Sequence, residues 1–337
     1  MFLIKMKVKN KHNRKFNLND ISVIIPTYNR AGDLKKTISS FVFSAPKLNE
    51  IIIVDQSEDN QTKQLLKRAG ISKLRYFYSG TPSITIARNI GVKMASKKSS
   101  IIIFLDDDVS LERGYFDEIL KIFNNFSEAK AAAGYVPSPE LNKMHLIEIF
   151  LRKIFFISYP EVNKARILAP YSNTYPKKIT KVINSQWLPG VNMAYKREIF
   201  YEQKFDENLL GYTVAEDIDF SYRIYKKYPD SVFITPKARL LHRASSIERY
   251  PVEKISYINQ IDHFYFFYKN MNRTIKERII FIWSLFGIFF LRAVKAALSR
   301  KKTDFLKLKY FLKSLMYSIK NKDRIKKGRL REFASPS

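Results

Sequence analysis

Two short apolar runs, ISVIIPTYNR at 21–30 and EIIIVDQSEDN at 50–60, each close on turn-forming or polar residues, the pattern of strands buried in a parallel sheet. Between them, AGDLKKTISSFVFSA sets Leu34, Ile38, Phe41 and Val42 at helical spacing, which predicts a β-α-β unit. The pattern then repeats. TKQLLKRAG predicts a helix, LRYFYS a strand, SITIARNIGVKMAS a helix and SSIIIFLDDD a strand. Four strands with intervening helices in about 90 residues predict an α/β fold with a doubly wound, mostly parallel sheet. Ligands of such sheets sit beyond the carboxyl ends of the strands, and the polar residues 27–30, 55–59 and 106–108 all fall there.

After Ala131 the pattern changes. AAAGYVPSPE is followed by a basic, aromatic segment through 170. SQWLPGVNMAYKREIF reads as a loop and strand leading into a helix. In GYTVAEDIDFSYRIYKKY, acids open a helix that carries Phe220, Ile224 and Tyr225, and SVFITPKARLLHR predicts one short strand. Helices dominate from Val252. RIIFIWSLFGIFFLR is apolar for thirteen residues, Ile279 to Leu291, short of the roughly 20 that span a bilayer. The stretch 279–298 approaches a span only if Arg292 and Lys295 snorkel, so lying on a membrane is favoured over crossing it. FLKLKYFLKSLMYSIKNKDRIKKGR, with Lys interleaved among Phe, Leu, Met and Tyr, has the pattern of an amphipathic interfacial helix.

Charge sharpens this picture. The 337-residue chain carries a formal net charge of +29, and nineteen Lys and Arg face three acids between Lys269 and Arg331. Such a block points to an anionic partner, a membrane surface or nucleic acid, and the adjoining apolar run favours lipid. Cysteine is absent, which excludes disulfides, thiolate metal sites and thiol nucleophiles and suits a reducing compartment. The basic N-terminus MFLIKMKVKNKHNRK lacks the apolar core of a secretory signal, so the cytoplasm is the expected location.

The run IIIFLDDDV passes from five apolar residues directly into Asp106, Asp107 and Asp108. Adjacent carboxylates repel one another, and at a strand end they suit a divalent cation shared with the oxygens of a diphosphate. A nucleotide-diphosphate donor site is therefore expected.

VIIPTYNR, IIIVDQSEDN, ARNIGV, IIFLDDDV, LPGVNMAYKREIF and AEDIDFSYRI, in this order over roughly 21–245, resemble the motifs of the family 2 glycosyltransferases of the GT-A fold, a Rossmann-like architecture. The resemblance implies that Pro26, Thr27 and Tyr28 line a nucleotide pocket, that Asp55 contacts the base or ribose, and that Arg88 reaches the nucleotide or its diphosphate. On residue type alone, Arg88 is equally a helix surface charge. Asp106, Asp107 and Asp108 then form a DxD-type site, with Asp106 toward the ribose and Asp108 on Mn²⁺ or Mg²⁺. Gln56 stands where many relatives have a second acid, leaving the base open.

By the same resemblance Asp217 is the general base, with Glu216 as the alternative or as an acceptor-positioning group, and Asp219 is structural. His242 is either a structural histidine or a metal or diphosphate ligand; as a neutral imidazole it suits Mn²⁺ better than Mg²⁺. Gly190 allows close backbone approach on the acceptor side, Asn192 can bond sugar hydroxyls, and Trp187 either stacks on a sugar or belongs to the core. No Q-x-x-R-W motif is present, which favours transfer of one sugar over polymer synthesis. The implied organisation is a basic extension at 1–20, a nucleotide-sugar half at 21–130, an acceptor and catalytic half at 131–250, and a membrane-associating region at 251–337. The expected activity is inverting, metal-dependent transfer to an acceptor, a lipid-linked glycan at the cytoplasmic membrane face. A sugar nucleotidyltransferase would need a Gly-rich loop after the first strand, where this chain has PTYNRAG.

Overall fold

The computed structural model describes residues 15–137, 143–169, 172–209, 213, 215–243 and 250–330. Most of the extension expected at 1–20, parts of the AAAGYVPSPE and GYTV segments, and Arg331 lie outside the described residues.

The predicted parallel half is present: β1 (Ile21–Thr27), α1 (Ala31–Phe41), β2 (Glu50–Asp55), α2 (Gln61–Ala69), β3 (Leu74–Tyr78), α3 (Ile84–Met94) and β4 (Ile101–Leu105). Strand alternation sends successive side chains into two different cores, which is why these runs are apolar throughout. Ile21, Val23 and Ile25 join Ile101, Ile103 and Leu105 on one face, covered by α1 and by α4 (Tyr115–Asn125). Ile24, Ile52, Val54, Ile102 and Phe104 face the other side, where Ala87 of α3 and residues from later helices meet them.

Beyond 131 the chain extends this sheet and also contributes to two small two-stranded ribbons apart from it. The remaining strands are β5 (Val109–Leu111), β6 (Ala131–Gly134), β7 (Tyr159–Val162), β8 (Thr174–Lys177), β9 (Ile183–Asn184), β10 (Asn192–Lys196), β11 (Val232–Thr235) and β12 (Leu240–His242). The eight-stranded order is β3-β2-β1-β4-β10-β6-β11-β9. β10 runs antiparallel between β4 and β6, and β11 is parallel to β6. The halves expected on either side of residue 130 therefore share one sheet.

The single strand predicted in SVFITPKARLLHR is two. Pro236, which has no N–H to donate, follows β11, and the chain leaves the main sheet there. It then forms β12, which pairs antiparallel with β5 in a separate ribbon. Gly134 makes this departure possible. A Cβ there would fall far inside contact with the Ala238 carbonyl, a backbone atom of the connection. We expect Gly134→Ala to lower stability by about 1–3 kcal/mol, read as a fall in the urea midpoint.

The boundary expected at 250 is not a boundary of packing. The helix Val252–Asn270 buries Ile261, Phe264, Phe266 and Phe267 in the second core, which Phe281, Leu285, Ile325 and Leu330 also enter. The helix Ile275–Ser299 is 25 residues long, about 37 Å. Its start is set by a reciprocal cap between Thr274 and Glu277. It is followed by the helix Lys302–Lys320.

Candidate active site

The carboxyl ends of β1, β2 and β4 meet at one edge of the sheet. After β1, Asn29 takes a left-handed conformation that asparagine tolerates, φ 53°. There its N–H donates to Ser57 Oγ at 2.8 Å, and its Oδ1 accepts from the Glu58 N–H at 3.1 Å. Tyr28, half-buried, donates from its hydroxyl to Glu58 at 2.9 Å. The loops after β1 and β2 are thus tied together beside the end of β4.

The three aspartates, in the turn between β4 and β5, do not act alike. Asp107 turns to the α1 side, where Thr27 Oγ1 donates to it at 2.7 Å and Arg30 stands 3.4 Å away. Burial pushes its carboxyl up to about 7 against these two groups. It ties β4 to β1. Asp106 and Asp108 face the opposite way, toward His242. The β5–β12 register pairs His242 with Val109, so its Nε2 comes within 3.2 Å of Asp108 Oδ1. Arg243, which the sequence reading did not single out, locks this ribbon: its Nη1 donates to the Val109 carbonyl at 2.7 Å and its Nη2 to Thr37 Oγ1 at 2.8 Å.

One ligand atom from each of Asp106, Asp108 and His242 lies within 4.8 Å of the others. Burial pushes Asp106 up to about 6 although Arg88 opposes the shift, and the hydrogen bond to Asp108 raises His242. Arg88, 3.6 Å from Asp106, and Arg30, 3.9 Å from Asp108, offset only part of the charge crowded here in low dielectric, and two oxygens with one imidazole nitrogen form a donor set that a divalent cation fits.

Arg88 is buried, which excludes the surface-charge reading. Its Nη1 pairs with Glu216 at 3.0 Å, while its Nη2 reaches the Gly190 carbonyl at 3.2 Å and Asp106 at 3.6 Å. One guanidinium therefore spans the strand-end aspartates and the acids opening the helix Glu216–Lys227. Asp217, beside Glu216, accepts from the Gly190 N–H at 2.7 Å through Oδ2 and from the Ile218 N–H at 2.7 Å through Oδ1. Burial, then the Glu216 charge, push its carboxyl up to about 7. Asp219 is structural, holding Arg223, Lys269 and Asn270 at 2.8–3.0 Å.

Gly190 has a geometric reason. A Cβ there would lie 3.1 Å from Asp217 Oδ2 and 3.4 Å from Arg88 Nη2. Gly190→Ala should displace the Asp217 carboxylate by a few tenths of an ångström and lower turnover about tenfold, with an almost unchanged melting temperature. Loss of fold and activity together would show a packing role instead.

Several expected contacts are corrected by burial. Trp187 lies in the core and donates from Nε1 to the Thr174 carbonyl at 3.2 Å, leaving no face for a sugar. Asn192 is fully buried, accepting from Tyr115 Oη at 2.9 Å and the Gly134 N–H at 2.6 Å, so it organises β10 and β6 instead of meeting hydroxyls. Asp55 is also enclosed, with its oxygens taken by the Ser57 N–H at 3.0 Å and Tyr76 Oη at 2.9 Å, so it shapes the loop after β2. Pro26 and Thr27 are buried at the end of β1, and Thr27 contributes through Asp107.

A largely parallel α/β sheet with an Asp-x-Asp cluster at the end of its fourth strand and an antiparallel strand beside that strand is the architecture of the GT-A class. The chain belongs to glycosyl transferase family 2, whose family profile matches residues 22–204. The poly(ribitol-phosphate) β-N-acetylglucosaminyltransferase TarP of Staphylococcus aureus is 34% identical over 106 residues, 30% of this chain and 32% of that protein. The chain spans about a third of the length of such curated relatives. In fold it is similar to residues 1–349 of S. aureus TarS solved with UDP-GlcNAc, with a TM-score of 0.51 and 14% identity over 93% of this chain and 90% of that one. It is similar also to a mannosyltransferase of Pyrobaculum calidifontis solved with GDP-Man and Mn²⁺, with a TM-score of 0.51 and 14% identity over 90% and 86% of the two chains.

Proposed function

We propose that this protein transfers a single sugar, with inversion, from a nucleotide-diphosphate sugar to an acceptor hydroxyl on a lipid-linked glycan at the cytoplasmic membrane face. The observation that carries the reading is Arg88, whose guanidinium bridges the Asp106 side of a cation site and the Glu216–Asp217 acids. Donor-side and acceptor-side chemistry then share one site, with Asp106 and Asp108 of 21–130 joined by His242 on the donor side and Glu216 and Asp217 of 131–250 on the acceptor side.

Asp106, Asp108 and His242 would hold Mn²⁺ or Mg²⁺, which when bound neutralises the diphosphate as it leaves. Asp217 takes the proton of the acceptor hydroxyl while that oxygen bonds to the anomeric carbon and the bond to the diphosphate breaks on the opposite face. Two backbone N–H donors fix its carboxylate, and an affinity raised to about 7 makes it a stronger base than an exposed aspartate. Glu216, already paired with Arg88, positions this arrangement. The basic block beside the helix Ile275–Ser299 supports the membrane location, and the absence of cysteine supports the cytoplasmic side.

A panel of UDP, GDP and dTDP sugars offered with lipid-linked acceptors tests the reading. Metal-dependent release of a nucleoside diphosphate together with a glycoside is expected. Formation of a nucleoside triphosphate and a sugar 1-phosphate when pyrophosphate is supplied in place of the acceptor would indicate nucleotidyl transfer instead.

A further inference from the structure

Two segments far apart in the sequence join into one exposed apolar surface. The helix Leu146–Ile154 has no buried residue. It turns Leu146, Ile147, Phe150 and Ile154 outward along one face, with Ile147 76% and Phe150 62% exposed. The helix Ile275–Ser299 turns Ile275, Ile279, Ile282, Phe286 and Leu298 outward over its whole length, with Ile279 62% and Ile282 66% exposed. The junction is specific. Phe155, buried, sets its ring 5.0 Å from Trp283 and 5.8 Å from Phe290. Gly287 leaves no room for a Cβ beside Phe155, and Trp283 Nε1 donates to the Ile154 carbonyl at 2.9 Å.

We propose that these two helices form a composite membrane contact that lies in the plane of an anionic leaflet. The proposal rests on the membrane location given above and extends it to an internal segment and to an orientation.

The length and composition of Ile275–Ser299 would allow it to cross a bilayer, but its inner face is committed to the protein. Phe281 stacks on Phe267 at 4.2 Å, and Ser284, Leu285 and Ala296 are buried. Crossing would strip that face from the core, whereas lying flat leaves it in place and buries only the outer stripe. Charge selects the occupant. Lys276, Arg278, Lys295 and Arg300 stand at or near the ends of the long helix, and Arg152 and Lys153 close the short one; Glu277 and Glu148 are the acids of the two helices. A second copy of the chain pressed against the same face would meet like charge, whereas anionic headgroups meet its complement.

Cosedimentation of the full chain with vesicles of phosphatidylglycerol and phosphatidylcholine, against phosphatidylcholine alone, tests the proposal. We expect binding to the anionic vesicles that alkaline carbonate extracts. Ile147→Ser with Phe150→Ser, and separately Ile279→Ser with Ile282→Ser, should each weaken binding about tenfold. The melting temperature should stay as in wild type, which shows that the variants fold and keeps this test independent of the transfer reaction. Wild-type binding by the Ile147/Phe150 variant would overturn the composite contact. Resistance to carbonate would overturn the in-plane orientation. Self-association abolished by the same substitutions, without vesicle binding, would make a second copy the occupant.

Discussion

Asp217→Asn is expected to lower turnover by about 10²-fold or more while leaving donor affinity nearly unchanged. The amide matches the carboxylate in size, and its one oxygen can still accept from either the Gly190 or the Ile218 N–H, but it cannot take a proton. The pH dependence has a definite sign. A general base acts in its ionised form, so wild-type turnover should rise with pH through about 7, where burial and Glu216 place this carboxyl, and fall on the acid side. In the Asn variant, the residual rate should lose that limb. A variant that loses donor affinity in step with turnover would move Asp217 to the donor site.

The second large effect belongs to Asp108. Asp108→Ala removes one of two carboxylates in the cation cluster and the hydrogen-bond partner of His242. Metal-dependent donor binding and turnover should both fall by about 10²-fold or more. Asp107→Ala should behave differently. Its partners are Thr27 and Arg30, so its loss should appear first as reduced stability.

The parallel half was legible because strand and helix periodicities differ and each element there is short, with polar residues at its end. The placement of the three aspartates at a strand end was legible for the same reason. Their division was not, since it depends on where β4 stops and on the side from which β12 returns. The pairing of His242 with Val109 joins positions 133 residues apart, and no local pattern encodes it. Asn192 was misplaced, and Trp187 was left between a sugar face and the core, because a motif gives position along the chain and not the direction of a side chain; both point into the core. The helix Val252–Asn270 was legible as a helix but not as core. It buries Gln260, Asp262 and His263 along with its aromatics, so it lacks the single apolar face by which a packed helix is read. Arg88 was legible only as a motif member. Its reach depends on Glu216, 128 positions away.

The most direct test of the paired-site assignment is calorimetric titration of the nucleoside diphosphate released by the wild-type protein into wild type, Asp217→Asn and Asp108→Ala, with and without Mn²⁺. Metal-dependent affinity in wild type, retained in Asp217→Asn and lost in Asp108→Ala, is the predicted result. Equal affinity in all three, or loss in Asp217→Asn with retention in Asp108→Ala, would contradict the division of this cleft into a cation side and a base side.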